Sequence, residues 1–287
     1  MILSLLLEYD MNYEIINYLD NVKYNDIDLK YKEFDLVFSG GGLKGFYHIG
    51  ICKILKYHEF NKNIKIRYII GTSTGALSAV MYACNIDLNI WYNSYYVIKD
   101  NINKMDMVSI IVKILKEHLP NDAYKRCSNR VKISLSNLTF LGFHEELIDN
   151  FDSNEHLISV LSAAIRIPYV TSNIFLPENI KNKFYYDGFF VRIIPIIYNN
   201  DLPQLLINTH LTNYSNNLSL SPQDSFIELL SLRGMYESNK FFRKNINNKT
   251  IKWIEKYYKK PKNIFNKYLY IVLPSLFFII SIKNWSY

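Results

Sequence analysis

The sequence is poor in the residues that stabilise small secreted proteins or bind structural metals. Only three of its 287 residues are cysteines, Cys52, Cys84 and Cys127, an odd number without a metal-ligand spacing. A reducing compartment is therefore the simplest interpretation. The first ten residues, MILSLLLEYD, lack a basic region and carry Glu8 and Asp10 directly after a short apolar run, so they predict the start of a helix rather than a secretory signal.

Charge is also limited. Charged residues make up 21% of the chain, hydrophobic residues make up 49%, and the formal net charge is +7. This composition is typical of a globular protein and excludes a disordered chain. The length is sufficient for one large hydrophobic core.

Apolar runs and helical patterns alternate from residue 34 to about residue 210. The strand FDLVF, a glycine loop, a helix over 46–60, the strand IRYII, a sharp turn and another helix follow one another. This βαβα unit predicts a parallel sheet with right-handed crossovers, and therefore the α/β fold class. Further along, the sequence predicts a helix over 106–119, a strand over 130–138, a helix with an Asp152–Glu155 cap, and strands in KFYYDGFF and PQLLINT.

Glycine is scarce as well, with ten residues in the chain, yet four of them lie within residues 40–45. Gly40, Gly42 and Gly45 satisfy the dinucleotide-binding spacing G-x-G-x-x-G, but no acidic residue for a ribose follows at the end of the next strand. A phosphate-binding P-loop requires Lys-Ser or Lys-Thr after the last glycine, and here two aromatic residues follow. Both nucleotide interpretations fail.

A second glycine motif, at 71–75, indicates a function for the glycine loop over 40–45. The stretch GTSTG at 71–75 is G-x-S-x-G between a strand and a helix, the context of a nucleophile turn whose serine, Ser73, stands above the sheet. Neighbouring parallel strands end at the same edge, so the glycine loop is predicted to offer backbone N–H groups to an oxyanion beside Ser73. The alternative is that Ser73 is a small residue in a tight turn.

With these motifs the chain resembles the patatin-like phospholipase family. The resemblance rests on GGGLKG, GTSTG, SAAIRIPYV and YYDGFF followed by Pro195, in that order, over residues 34–200. Other passages are most similar to the animal branch that includes adipose triglyceride lipase and adiponutrin. The resemblance implies a three-layer sandwich, with a mostly parallel sheet and helices on both faces. The expected regions are a helical extension over 1–33, a catalytic domain over 34–235 and a C-terminal segment over 236–287.

The family pattern implies a Ser–Asp dyad without a catalytic histidine, with Ser73 as the nucleophile and Asp187 as the base. The other implied site residues are oxyanion or substrate-binding positions and the two glycines that flank the nucleophile: Gly40, Gly41, Gly42, Lys44, Thr74, Gly71 and Gly75. The implied reaction is hydrolysis of a phospholipid or acylglycerol ester through an acyl-enzyme, without metal or nucleotide cofactor. A carboxylate base at neutral pH is weak unless it is desolvated, so an apolar pocket is expected around Asp187.

Two departures from the family pattern keep another function open. The family usually has Asp-Gly-Gly or Asp-Gly-Ala, and often an Asn two residues before the proline, whereas this chain has Phe189 and Ile193 at these positions. A slow or inactive relative that binds lipid or a partner is therefore the second hypothesis.

The roles of single residues also have alternatives. Ser73, Asp187 and His210 follow the chain order of an α/β-hydrolase triad, although the resemblance favours the dyad. Asp187 followed by glycine is also a common turn, and Lys44 is equally compatible with a solvated loop charge.

Positive charge is concentrated near the C-terminus. Residues 240–267 interleave ten Lys or Arg residues with Phe, Trp and Tyr, a pattern suited to anionic lipid headgroups. The apolar run over 268–282 is shorter than the roughly 20 residues of a transmembrane helix, and Pro274 interrupts it. The segment predicts a cytoplasmic protein held peripherally on a membrane or lipid droplet, and the alternative is a buried C-terminal strand or helix. Nucleic-acid binding is not expected, because no recognised motif accompanies the basic stretch.

Overall fold

The computed structural model describes residues 28–101, 104–198, 200–209, 224–244, 247 and 249–255. Within these residues one sheet contains the strands β1 (Glu33–Phe38), β2 (Lys65–Thr72), β3 (Val131–Thr139), β4 (Gly142–Ile148), β5 (Glu178–Ile180), β6 (Lys183–Asp187), β7 (Gln204–Ile207) and β8 (Ile251–Ile254). The α-helices are α1 (Phe46–Phe60), α2 (Thr74–Ala83), α3 (Leu88–Asn101), α4 (Met107–His118), α5 (Ala123–Cys127), α6 (Asn154–Ala164) and α7 (Asp224–Lys244). Short 3₁₀ helices over Gly42–Gly45 and Gly188–Phe190 follow β1 and β6.

The centre of the sheet is parallel. Strands β3, β2, β1 and β7 lie side by side in this order and run in the same direction. Strands β4 and β6 pair antiparallel with β3, β5 pairs with β6, and β8 closes the other edge against β7. The predicted α/β class and the mostly parallel sheet with helices are confirmed.

Strand β3 joins two strands that meet end to end. Its first part pairs with β2, where Thr72 lies opposite Ser134, and its second part pairs with β6, where Asp187 lies opposite Leu135. Strand β4 spans both parts along β3. Because β3 has only two edges and β4 occupies one of them, β2 and β6 must both pair with the other edge. The carboxyl ends of β2 and β6 therefore face each other.

Alternation along β1 divides the apolar residues between two faces of the sheet. Phe34, Leu36 and Phe38 join the large cluster that contains the apolar residues of α1, α2, α4 and α6. Val37 packs on the other face with buried residues of β2, β7 and β8, and the segment between β6 and β7 covers them with Ile194 and two further isoleucines.

Local signals in the sequence place the helices. Helix α4 begins after Asp106, whose Oδ1 accepts a hydrogen bond from the Ser109 N–H at 3.1 Å, and it ends before Pro120. The predicted cap of α6 is wrong by one residue. Ser153, in extended conformation, is the cap, because its Oγ accepts from the backbone of the first turn, whereas Asp152 forms an ion pair with Lys181.

The described part of the C-terminal segment belongs to the core. Helix α7 runs across the expected boundary at residue 235, and it crosses α1 so closely that a Cβ at Gly50 would lie 1.9 Å from the Ser231 carbonyl oxygen. Phe241, Phe242 and Trp253 are buried. Strand β8 therefore places part of the basic stretch 240–267 in the sheet, although the sequence predicts that stretch to face lipid or solvent.

Other expectations fall on residues outside the described ranges. These are the helical pattern over 4–24, His210 and the apolar run over 268–282. None of the described helices combines the length and the hydropathy that crossing a membrane requires.

Candidate active site

The turn after β2 holds Ser73 in a strained conformation. Its φ of 55° and ψ of −130° are unfavourable for a residue with a Cβ, and the next residue begins α2. The glycines on either side allow this turn: a Cβ at Gly71 would lie 2.2 Å from the Gly75 carbonyl oxygen, and a Cβ at Gly75 would lie 2.4 Å from that of Phe38. This is the strand–turn–helix geometry in which a serine Oγ stands above a sheet.

Ser73 and Asp187 are in contact, as the sequence predicts. The Ser73 hydroxyl donates a hydrogen bond to Asp187 Oδ2 at 2.7 Å. The Asp187 side chain is fully buried, and the Ser73 side chain is 8% exposed. The contact exists because β2 and β6 end next to each other along β3.

Burial raises the pKa of Asp187 to about 7, although hydrogen bonds from the Phe189 N–H and the Ser73 hydroxyl oppose this increase. The cause is desolvation, since removal of water disfavours the carboxylate form. A carboxylate with this pKa is a stronger base than an exposed aspartate and is still largely ionised just above neutral pH.

The glycine loop lies against Ser73, but its three predicted donors are not equivalent. A Cβ at Gly40 would lie 3.1 Å from Ser73 Cβ. The Gly40 N–H donates to the Ile193 carbonyl oxygen at 3.0 Å, so it is already engaged. The oxyanion role of the three glycines stays a prediction, and in this structure Gly41 and Gly42 are the loop positions that remain for it.

Thr209, which sequence reasoning missed, holds the glycine loop from the end of β7. Its Oγ1 donates to the Gly40 carbonyl oxygen at 2.7 Å and lies 3.2 Å from Ser39 Oγ. It occupies the space beside Gly41, where an added Cβ would lie 2.2 Å from Oγ1. The one signal in the sequence is that Thr209 follows the strand QLLI, which pairs parallel with β1 and therefore ends beside the glycine loop.

Phe189 and Ile193, which depart from the family pattern, contact the site through their backbone atoms. Phe189 donates its N–H to Asp187 Oδ1 at 2.9 Å, a bond that any residue except proline can form. Ile193 uses its carbonyl oxygen to bind the Gly40 N–H. Neither side chain has to be conserved for these contacts.

Lys44 and Thr74 lie beside the same loop. Lys44 is 6% exposed, and burial lowers its pKa, so the alternative of a solvated loop charge is wrong. The Thr74 hydroxyl is buried and has no hydrogen-bond partner among the described residues. Both side chains are thus enclosed rather than free in solvent.

An apolar cavity of about 50 Å³ begins at this loop. Gly42, Gly45 and Thr74 line one end, and the cavity continues among side chains of α1, α2, α3 and α4, including Leu77 and Trp91. Its apolar lining with few polar groups at one end resembles that of a ligand site, although its volume is well below the roughly 300–1,000 Å³ of typical ligand pockets.

The described part of the chain offers neither a histidine to Asp187 nor a metal centre. The hydrogen bonds that Asp187 accepts come from Ser73 and Phe189. The Nδ1 of His48, in α1, lies 2.9 Å from Ser78 Oγ. Among the described residues no three side chains of the metal-binding type come together.

This combination of a strained serine between strand and helix, a buried carboxylate and a glycine loop is typical of α/β enzymes with a serine nucleophile. The sequence model of the patatin-like phospholipase family matches residues 36–199, more than half of the chain. The chain belongs to this family.

Curated relatives have low sequence identity. The human patatin-like phospholipase domain-containing protein 2 is 24% identical over 75% of this chain and 42% of the relative. The mouse 1-acylglycerol-3-phosphate O-acyltransferase Pnpla3 is 25% identical over 58% and 41%. The human omega-hydroxyceramide transacylase is 25% identical over 57% and 32%. The chain thus spans less than half the length of these relatives.

Proposed function

We propose that this protein is a lipid acyl hydrolase that cleaves carboxylic esters of phospholipids or acylglycerols through an acyl-enzyme on Ser73. The observation that carries the proposal is the 2.7 Å hydrogen bond from the Ser73 hydroxyl to the buried Asp187 carboxylate. Membership of a family of lipid ester hydrolases and acyltransferases supports the same class of reaction.

The proposed reaction has two steps. Ser73 Oγ attacks the ester carbonyl carbon while Asp187 takes the hydroxyl proton, and the N–H groups of Gly41 and Gly42 stabilise the oxyanion. Asp187 then gives its proton to the leaving alcohol, which leaves an acyl-Ser73 ester. In the second step Asp187 deprotonates a water that attacks this ester, and return of the proton to Ser73 releases the fatty acid. No metal or nucleotide takes part.

The cavity supports an acyl chain as the part of the substrate that is recognised. It begins at Gly42 and Thr74, next to the oxyanion position, and its walls are almost entirely apolar. In the proposed complex the acyl carbon lies at Ser73, and only the first methylene groups of the hydrocarbon chain occupy the small cavity between α2 and α3. Thr74 and Lys44 then lie near the carbonyl end of the chain.

An alcohol is the alternative acyl acceptor. Two relatives are named as an acyltransferase and a transacylase. The same acyl-enzyme serves both reactions, and whether water or an alcohol reaches Ser73 decides between them. Comparing released fatty acid with newly formed ester, from one labelled acyl donor with and without added lysolipid or acylglycerol, separates hydrolysis from transfer.

The competing proposal is a slow or inactive lipid-binding relative. Hydrolysis of a short-chain chromogenic ester, together with fluorophosphonate labelling, tests it. We expect wild-type protein to be active and labelled, Ser73→Ala to lose both properties, and Ser78→Ala, one turn further along α2, to keep them. Wild-type protein without turnover, or labelling that survives in Ser73→Ala, would contradict the proposed hydrolase.

Peripheral attachment in the cytoplasm through the C-terminal segment is a further part of this proposal. Because β8 and its buried Trp253 belong to the sheet, a truncation before residue 251 would damage the core. A chain that ends at Glu255 lacks five of the ten basic residues of 240–267 and the whole apolar run, and it keeps the sheet. We expect this chain to bind anionic vesicles less than the full chain, and equal binding would contradict a role of the tail.

A further inference from the structure

Seven large apolar side chains are exposed at the edge of the molecule where the parallel strands end. The turn between β3 and β4 presents Phe140 at 96% and Leu141 at 67% exposure, and the loop before β5 presents Phe175 at 60%. We call the following residues the rim patch: Phe140, Leu141, Tyr169, Ile174, Phe175, Leu176 and Phe184. Exposed apolar side chains concentrated in this way mark an interaction surface.

The rim patch projects beyond the sheet edge. Strand β3 continues five residues past Ser134, the partner of Thr72 at the end of β2, to Thr139. At about 3.3 Å per residue the β3–β4 turn stands roughly 16 Å beyond the end of β2. The loop is fixed beside this projection, because the Tyr186 hydroxyl donates to the Phe175 carbonyl oxygen at 2.6 Å and the Tyr169 and Phe175 rings stack.

The same segments build the candidate active site. Phe184 lies in β6, three residues before Asp187, and the Asp187 N–H donates to the Arg166 carbonyl oxygen where the loop begins. The loop also accepts a hydrogen bond from Val108 through the Thr171 carbonyl oxygen. That bond connects the loop to α4, one wall of the apolar cavity. The rim patch is therefore continuous with the elements around Ser73 and the cavity.

Charge around the rim patch favours an uncharged partner. The nearby cations are paired with carboxylates: Lys183 with Glu146 at 2.8 Å, Lys181 with Asp152 at 2.6 Å, and Arg166 with Glu178 at 2.6 Å. A surface with balanced charges and protruding apolar side chains gains little from anionic headgroups and gains free energy when its side chains leave water.

We propose that the rim patch inserts into the surface of a neutral lipid aggregate, and that this contact brings the cavity and Ser73 to the lipid. The choice of lipid as the partner rests on the proposed function, whereas binding itself needs no turnover. This surface is separate from the basic C-terminal segment, because it acts through apolar insertion rather than through positive charge.

An environment-sensitive fluorophore on Phe140→Cys tests insertion. The three native cysteines are buried, so a thiol label attaches to the introduced residue. The matched control is Phe60→Cys, since Phe60 is 85% exposed at the end of α1, on the side where β2 begins. With phosphatidylcholine vesicles we expect a blue shift of the label at 140 and no shift at 60. Equal responses at the two positions would overturn the proposal.

Flotation of the full chain on the same vesicles gives the affinity. We expect Phe140→Ser combined with Leu141→Ser to lower the bound fraction at least about tenfold at low and high salt, and Phe60→Ser to leave it unchanged. An unchanged unfolding temperature of the double variant shows that the fold is kept. If the wild-type chain hydrolyses a soluble ester but floats only on anionic vesicles, the proposed role of the rim patch is contradicted. A chain that floats on neutral vesicles without hydrolysing any ester contradicts the proposed function instead.

Discussion

Replacement of Asp187 by asparagine is expected to abolish turnover and to stabilise the fold above neutral pH. The pKa of Asp187 is about 7 in the folded protein, against an ordinary value of 3.8. Between these values the unfolded chain is ionised while the folded protein holds a proton. Rising pH therefore favours the unfolded state, and the full difference of about three pH units corresponds to about 4 kcal/mol.

Asparagine has nearly the same shape as aspartate and does not ionise. The folding free energy of the Asp187→Asn protein therefore lacks the contribution from ionisation of this side chain. At pH 5 the wild type has lost about 2 kcal/mol of it and at pH 8 about 4 kcal/mol. The stability of Asp187→Asn relative to wild type should thus rise by about 2–3 kcal/mol between pH 5 and pH 8. For a chain of this size this corresponds to a shift in relative Tm of roughly 5–10 °C.

Chemical denaturation at the two pH values measures this change, and the pH dependence cancels effects of the substitution that do not involve a proton. Asp100→Asn, at an exposed position in α3, is the control and should show no such change. A stability difference between Asp187→Asn and wild type that is the same at pH 5 and pH 8 would refute the assignment of a buried, proton-binding carboxyl. The same ionisation predicts that kcat/KM of the wild type rises with pH through about 7.

Three further substitutions test the site. Thr209→Val should lower kcat by up to about 100-fold with a small change in KM, because the glycine loop loses the hydrogen bond from the Thr209 hydroxyl. Thr209→Ser keeps a hydroxyl and should retain most of the wild-type kcat. Equal rates for the two variants would exclude a role of the hydroxyl contact. Phe189→Ala should keep nearly wild-type kcat, because only the backbone N–H reaches Asp187; a large loss would assign a role to the ring. His210→Ala should keep most of the activity, and a loss of about a thousandfold or more would establish a triad. Each variant is assayed with a soluble chromogenic ester.

The sequence by itself predicts the local elements that surround the nucleophile. The apolar runs and the glycines around them predict β1, β2 and the helices that follow, since backbone preference and close approach are local properties. The G-x-S-x-G pattern predicts the strained turn because Gly71 and Gly75 stand where a Cβ would meet backbone atoms. The resemblance to the patatin-like family, rather than the pattern of residues alone, implies Asp187 as the partner of Ser73.

Less local features have weaker signals. The sequence does not predict strand β8, which lies inside a stretch whose positive charge indicates a membrane tail. Four alternating residues of a short strand have the same pattern as a solvated segment of aromatic and basic residues. The cap of α6 at Ser153 differs from the predicted Asp152 because a distant lysine, Lys181, engages the aspartate.

The tertiary structure alone decides how the site is assembled. Pairing of β2 and β6 on the same edge of β3 brings Ser73 within 2.7 Å of Asp187, although 114 positions separate them in the chain. The pKa of Asp187 depends on the water excluded around it, and the hydrogen bond of the Gly40 N–H depends on the position of the Ile193 carbonyl. These properties arise from contacts between segments far apart in sequence, and a pattern of neighbouring residues carries no information about which of those contacts form.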